Sequence, residues 1–311
     1  MSKGDIMNNK KCLIIYNPNS GKGKSQNNIK IYYDLLKERG YNVDVIATQY
    51  NHHATEAIMR AKNYDVVFSV GGDGTLNEVV KGNFFRKKKL TICPLPSGTC
   101  NDVATMLGYG QDPEKNIDLA LNGDVKNMDI GTINDTPFVY VVGMGKFMNV
   151  PYETKSADKK KNGYLAYLKE AFSEIVNRLQ RYRAEIIVDG QKLDDQYSLI
   201  MISNSDHIAG IDLFYKDVCL DDGMMEVLLC KARTKKEFVK SFLQLFLGRK
   251  TKSLISLKAH DIQIKLIDKP AKKWCIDGER YDYDGDTYRI KSHGKMKILA
   301  PKRASNKLFK A

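Results

Sequence analysis

Short apolar runs and amphipathic stretches take turns along the first part of the chain. "CLIIYNP" (Cys12 to Pro18) predicts a buried strand. "SQNNIKIYYDLLKERG" (Ser25 to Gly40) carries its apolar residues at helical spacing and ends on a glycine stop. "NVDVIAT" predicts a strand, "HATEAIMRAKN" a helix and "DVVFSV" a strand; after a cluster of glycines, "TLNEVVKG" begins a helix, and "LTICPLP" is again a strand. Strands alternating with helices imply a parallel sheet covered on both faces. Near Thr132 the pattern changes. "PFVYVVGMG", "RAEIIVDGQKL", "YSLIMISNS", "GMMEVLLCKA", "DIQIKLI", "KWCIDGE" and "TYRIKS" are strand-like and are divided by turn signals such as Asp189-Gly190 and Asp222-Gly223. Helical segments interrupt them near Tyr164 to Arg181 and Thr234 to Lys250, and "KMKILAP" predicts a strand returning to the first domain. The expected fold class is α/β plus all-β. A parallel α/β domain over 1–132 precedes an antiparallel β domain over 133–290, and the segment 291–311 goes back to the first.

The formal net charge of +13 over 311 residues adds an anionic partner to this picture: nucleotide, nucleic acid or an anionic membrane surface. No aromatic nucleic-acid motif or basic repeat accompanies it, so no nucleic acid is expected. No apolar run is long enough to cross a membrane, and the five-residue apolar run after the N-terminal lysines is too short for a signal peptide. A cytoplasmic protein is expected. The six cysteines form no C-x-x-C pair and read as buried free thiols. The adjacent His52 and His53 read as surface residues.

Three glycine-rich loops follow predicted strands: "NPNSGKGKS" (Asn17 to Ser25), "GGDGTLNE" (Gly71 to Glu78) and "PSGTCND" (Pro96 to Asp102). Backbone amides in such turns at helix starts form an anion nest, and glycine lets phosphate oxygens approach the backbone. Thr75 and Thr99 can add hydroxyls; Lys22 and Lys24 can add charge. The first loop is not a Walker A loop, because Pro18 stands where that motif needs glycine. The second is not a dinucleotide fingerprint, because its third glycine position holds Asn77. Asp73 would repel a bare phosphate. It either meets a divalent metal bridging the two, or caps the following helix.

These motifs together resemble the diacylglycerol kinase catalytic family, which includes bacterial soluble lipid kinases and is related to sphingosine and ceramide kinases. The resemblance extends to "LDDGMMEV" (Leu220 to Val227) and "IDGE" (Ile276 to Glu279). It implies an N-terminal nucleotide-binding domain and a C-terminal β-sandwich with ATP in the cleft between them. It also implies magnesium and transfer of the γ-phosphate to a lipid hydroxyl, first of all that of diacylglycerol. By motif, the ATP contacts would be Asn17, Pro18, Asn19, Ser20, Gly21, Lys22, Thr48, Gly72, Asp73, Gly74, Thr75, Leu76, Asn77, Glu78, Thr99 and Asp102. Asp222 matches a magnesium ligand, flanked by the carbonyls of Cys219 and Met224, and Asp129 matches an aspartate of a water-linked magnesium network. Glu279 matches the general base; Asp277, two residues away, and Asp73 are the other candidate catalytic carboxylates.

On the residues alone, Asp277 and Glu279 either share one side of a strand or sit in an exposed turn. Asp221-Asp222 before Gly223 reads as a hairpin turn or as a hard-cation site. "FFRKKK" (Phe84 to Lys89), Lys155 to Phe172 and Arg233 to Lys252 combine lysines with apolar residues. In the last, Phe238, Phe242, Leu245 and Phe246 fall at helical spacing and make either a core face or a membrane-docking face. A peripheral attachment to anionic membrane is the expected partner surface, and a homodimer is allowed. Other readings stay in view: a kinase for another lipid, phosphatidylglycerol or a sphingoid, or for a soluble substrate such as NAD, and a non-catalytic basic nucleotide- or membrane-binding protein.

Overall fold

A run of apolar residues without helical spacing hides both its faces only as a strand inside a covered sheet. Cys12 to Ile15 do so in β1 (Lys11–Tyr16), and β3 (Val66–Gly71) and β4 (Thr91–Pro96) are buried along their whole length. The computed structural model describes residues 10–145, 179–208, 211–212, 218–268 and 274–310. The chain divides into two units, one made of Met1–Met128 with Lys295–Ala311, the other of Asp129–Gly294.

In the first unit β2 (Asn42–Ala47), β1, β3 and β4 pair in parallel in that order. The helices are α1 (Lys24–Glu38), α2 (His53–Arg60), α3 (Asp73–Phe84), the short α4 (Asp102–Met106) and α5 (Pro113–Leu121). Helix α3 begins at Asp73, not at Thr75 as the pattern suggested. Gly72 is its N-cap, so the Asp-Gly pair forms its first turn rather than a separate loop. Five of the six cysteines are buried, Cys100 is half-buried, and all six are free thiols. Burial pushes Cys12 and Cys93 up to about 12, which makes them inert hydrophobes.

β5 (Asp124–Ile133) runs from the first unit into the second, where its end pairs with β6 (Thr136–Phe138). The second unit then builds two antiparallel layers. One joins β9 (Gln191–Tyr197), β8 (Tyr182–Val188), β15 (Asp261–Leu266) and the first half of β18 (Thr287–Ala300). The other runs β14 (Leu254–Ala259), β13 (Met225–Cys230), β10 (Leu199–Ser203), β7 (Val141–Gly145), β16 (Trp274–Ile276) and β17 (Glu279–Tyr281). A two-residue ladder pairs β11 (His207–Ile208) with β12 (Ile211–Asp212). One core draws on both layers, with Ile186, Ile262 and Ile264 from the first and Val142, Ile202, Val227 and Trp274 from the second, so this unit is a β-sandwich.

Two expected strands differ from the sequence pattern. "PFVYVVGMG" is broken into β6 and β7 because the amides of Val139, Tyr140 and Val141 are taken by the Asp277 carboxylate. "TYRIKS" and "KMKILAP" are one 14-residue strand, β18, whose Gly294 at φ 89 supplies the backbone irregularity between them. Its Ile298 pairs in parallel with Ile92 of β4. Helix α6 (Lys235–Phe246) is capped by Thr234, whose hydroxyl accepts the Glu237 amide, and α7 (Lys302–Leu308) ends the described chain. The basic segment Lys155 to Phe172 and the greater part of the helix expected over Tyr164 to Arg181 lie outside the described residues, as do the side chains of Lys22, Lys24 and Phe246.

Candidate active site

The three glycine loops sit at the carboxyl ends of β1, β3 and β4, and hydrogen bonds lock them side by side. Asn17 donates its amide to the Val70 carbonyl and Ser97 to that of Gly71, at 3.2 and 2.8 Å; the Thr48 amide, just past β2, reaches the Tyr16 carbonyl at 2.8 Å. Within the first loop the Asn19 and Ser20 amides turn back onto Asn17, and Gly21 takes φ 57. A Cβ placed on Gly72 would lie 3.3 Å from Gly98 Cα, 3.9 Å from Ser20 Oγ and 4.0 Å from Asn101 Oδ1, so all three loops meet around one glycine. A Cβ on Gly98 would overlap Gly72 Cα outright. Asn101, at φ 54, closes the third loop by accepting the Gly98 amide at 2.7 Å and donating to the Gly98 carbonyl at 3.0 Å.

Asp73 does not cap its own helix, one of the two roles expected of it on sequence grounds. It is the first residue of α3, and its carboxylate accepts the amides of Asn101, Asp102 and Val103, at the start of α4 rather than of its own helix. The residue is partly exposed but its carboxyl end is enclosed; this burial, and then the neighbouring Asp102, push Asp73 up to about 7. Two acids and three glycine loops thus share one spot at the strand ends. Gly74 and Thr99 are exposed there, and the Thr75 side chain packs on Gly71. Pro18 is half-buried, while Leu76 and Asn77 are turned inward along α3. Glu78 points away from the loops, its two oxygens accepting the His52 and Ala54 amides at 2.9 and 3.0 Å and so capping α2.

In the second unit one end of the sheet β14 to β17 collects the remaining motifs. Ile276 and Glu279 pair at the mouth of the β16–β17 hairpin, whose turn is Asp277-Gly278, at φ 47 and 85. Asp277 and Glu279 therefore do not share one side of a strand. Nor is the turn exposed at Asp277, which is buried and accepts the amides of Val139, Tyr140 and Val141 at 2.7, 3.0 and 3.0 Å. Both its oxygens serve as an anchor, whereas Glu279 is exposed. Next to this end, Asp129 accepts the Gly223 amide at 2.6 Å and Asp222 accepts that of Met224 at 3.1 Å. The Asn204 side chain donates to the Asp129 carbonyl, and the His260 ring meets the Gly223 carbonyl at 2.8 Å. Cys219 gives its thiol to Asp221.

Residues 11–133 match the diacylglycerol kinase catalytic domain, and residues 144–292 match the YegS C-terminal NAD kinase beta sandwich-like domain. The chain is 32% identical over 222 residues to a diacylglycerol kinase of Staphylococcus aureus, covering 71% of this chain and 70% of that protein. The diacylglycerol kinase of Bacillus subtilis is 29% identical over 275 residues, covering 87% and 90%. A solved diacylglycerol kinase structure from Bacillus anthracis superimposes with a TM-score of 0.76 at 25% identity, covering 94% of this chain and 97% of that one.

The chain belongs to the diacylglycerol kinase catalytic family. It is a kinase, a transferase whose acceptor is a hydroxyl. At Gly72 and Gly98 the close approach of the second and third loops leaves no room for a side chain, and the amides of Ser97 and Gly98 are taken up between and within these loops. At the Asp222 turn the Asp222 and Asp129 carboxylates hold the Met224 and Gly223 amides, with the Cys219 thiol and the His260 ring alongside. Among the described residues no group of three or more His, Cys, Asp or Glu side chains is placed to hold a metal ion. Sequence reasoning passed over Gly98, Asn101 and Asn204. The first two stood inside a quoted motif, and an Asn one residue before a helix is a signal for the left-handed turn seen at Asn101. Asn204 gave no local signal, because its partner is 75 residues away.

Proposed function

We propose that this chain is an ATP- and magnesium-dependent lipid kinase that phosphorylates the hydroxyl of diacylglycerol to give phosphatidic acid. The observation carrying this reading is the meeting of Ser20, Gly72, Gly98 and Asn101 beside the Asp73 and Asp102 carboxylates, a polyphosphate cradle with acids at hand. The names of the curated relatives favour diacylglycerol as acceptor. ATP supplies the phosphoryl group and leaves as ADP, and magnesium, when bound, would supply charge neutralisation at the phosphates. The glycine-loop amides and the Thr75 and Thr99 hydroxyls bind and orient the phosphates. Asp222, with the carbonyls of Cys219 and Met224, would hold magnesium, and Asp129 steadies that turn through Gly223. Glu279 takes the proton from the lipid hydroxyl as the oxygen attacks, and Asp277 fixes the hairpin that presents it. Incubation with magnesium-ATP and, in turn, diacylglycerol, phosphatidylglycerol, sphingosine and NAD tests the reading. Transfer to diacylglycerol is expected; transfer to NAD alone would overturn it.

A substrate dissolved in membrane calls for a docking surface, and α6 offers one on a different face from that suggested by the sequence. Phe238 is buried and stacks on Phe242 at 4.7 Å, so that stripe is the packing face. The outer face carries Val239, Leu243 and Leu247 at successive turns, 48%, 61% and 62% exposed, among exposed Lys235, Lys236, Lys240, Arg249 and Lys250. An apolar ridge set in positive charge matches an anionic lipid surface, where each lysine is worth on the order of 1 kcal/mol. No helix among the described residues is long and apolar enough to cross a membrane. Vesicle flotation is expected to require anionic lipid and to weaken with added salt. Leu243→Glu combined with Leu247→Glu is expected to lower binding by on the order of tenfold. Equal binding to neutral vesicles, or no loss in the double variant, would remove this role.

A further inference from the structure

A fourth loop stands beside the three glycine loops. It runs from Thr48 to His52, between the carboxyl end of β2 and the start of α2. Its first residue is tied to the strand that feeds the first glycine loop, the Thr48 amide donating to the Tyr16 carbonyl. Its far end is tied to the helix that starts in the second. There Glu78 of α3 accepts the His52 and Ala54 amides, and its own carbonyl accepts the Thr55 hydroxyl at 2.9 Å.

The chemistry of this loop differs from that of the other three. It contains no glycine. The helix start behind it, the ordinary seat for an anion, is filled by the Glu78 carboxylate, which repels a phosphate. What the loop shows to solvent is an aromatic face. The Tyr50 ring lies flat on the imidazole of His53, with centroids 4.6 Å apart and planes 12° from parallel, and Tyr50 is still 54% exposed. Three hydrogen bonds hold the stack. The Gln49 amide donates to His53 Nδ1 at 3.1 Å, the His53 amide to the Tyr50 carbonyl at 3.2 Å, and the Tyr50 hydroxyl to Glu56 Oε2 at 3.3 Å.

We propose that Tyr50, backed by His53, is the platform on which the base of the nucleotide stacks. The inference rests on the reading of the glycine loops as the phosphate site. The spacing fits one ligand that spans both places. Only β1 separates β2 from β3, which makes two strand spacings, about 10 Å. The path along α3 from Gly72 to Glu78 is about 9 Å at the helical rise. A nucleobase stands at a similar remove from the far end of its own polyphosphate. Stacking uses the π-face that every base has and asks for no donor or acceptor on the platform. The Tyr50 hydroxyl and His53 Nδ1 are accordingly turned to their own loop and helix.

Calorimetric titration of the full chain with magnesium-ATP, and separately with magnesium and inorganic tripolyphosphate, divides the base from the phosphates. Tyr50→Ala is expected to weaken ATP about tenfold and to leave tripolyphosphate unchanged. Tyr50→Phe keeps the ring and is expected to bind both like the unaltered chain. Circular dichroism checks the fold, and Tyr50→Leu, which has bulk but no π-face, replaces the Ala variant if that one does not fold. Unchanged ATP affinity in Tyr50→Ala, an equal loss on tripolyphosphate, or a loss in Tyr50→Phe as large as in Tyr50→Ala overturns the inference and leaves the phosphate site in place. If the unaltered chain binds ATP but not tripolyphosphate, or binds neither, the glycine loops are not the phosphate site and this inference falls with that reading.

Discussion

Glu279→Gln is expected to slow turnover by about 10² to 10⁴-fold while leaving ATP affinity nearly unchanged. An alcohol that keeps its proton is a poor nucleophile, and the amide retains the shape of the side chain without its basicity. The nucleotide loops belong to the other unit and contain no residue of this hairpin, so the binding term has no reason to move. The structure makes Asp277 a discriminating companion. Asp277→Asn leaves one acceptor oxygen for three buried backbone donors, and the expected result is a loss of stability of about 3 kcal/mol. Steady-state kinetics and thermal unfolding separate the two effects. Near-normal turnover in Glu279→Gln, with turnover abolished in a stably folded Asp277→Asn, would reverse the assignment. If both variants keep turnover, the base lies elsewhere and Asp73 is the next candidate.

Gly98→Ala is expected to lower kcat/KM for ATP by about 10²-fold and to cost about 1–3 kcal/mol of stability. The added methyl would overlap Gly72 Cα and come within 2.9 Å of Asn101 Oδ1 and 3.0 Å of the Gly72 amide nitrogen. Those neighbours are backbone or a side chain hydrogen-bonded to the same loop, so none can swing aside as a flexible tip would. Relief comes only by parting the second and third loops, which widens the cradle and shifts the α3 N-terminus. Gly108→Ala is the comparison on stability alone, since a Cβ there meets nothing within 4 Å but the residue sits at φ 87. It is expected to destabilise through backbone strain and leave ATP kinetics intact. ATP kinetics that are unchanged in Gly98→Ala would mean the loops do not close on phosphate.

The sequence by itself determined the parts whose physics is local. Three continuous apolar runs and the half-buried "NVDVIA", separated by amphipathic helices, leave little choice but a parallel sheet, with glycines at the strand ends. Regular alternation with Asp-Gly turns likewise made the second half antiparallel, and the spacing of five motifs identified the family. Tertiary structure alone decided what each carboxylate does. Asp73, Glu78 and Asp277 look alike in a string of letters, yet one binds the start of α4, one caps α2 and one anchors the entry to β7. Their partners lie 24 to 138 residues away, and no local period encodes such distances. The break between β6 and β7 and the continuous β18 have the same origin, because a strand ends where its amides find other acceptors. Helix α6 shows the limit of pattern reading most directly. Both of its faces are apolar enough to be buried, and only the neighbours packed against Phe238 and Ser241 settled which one faces outward.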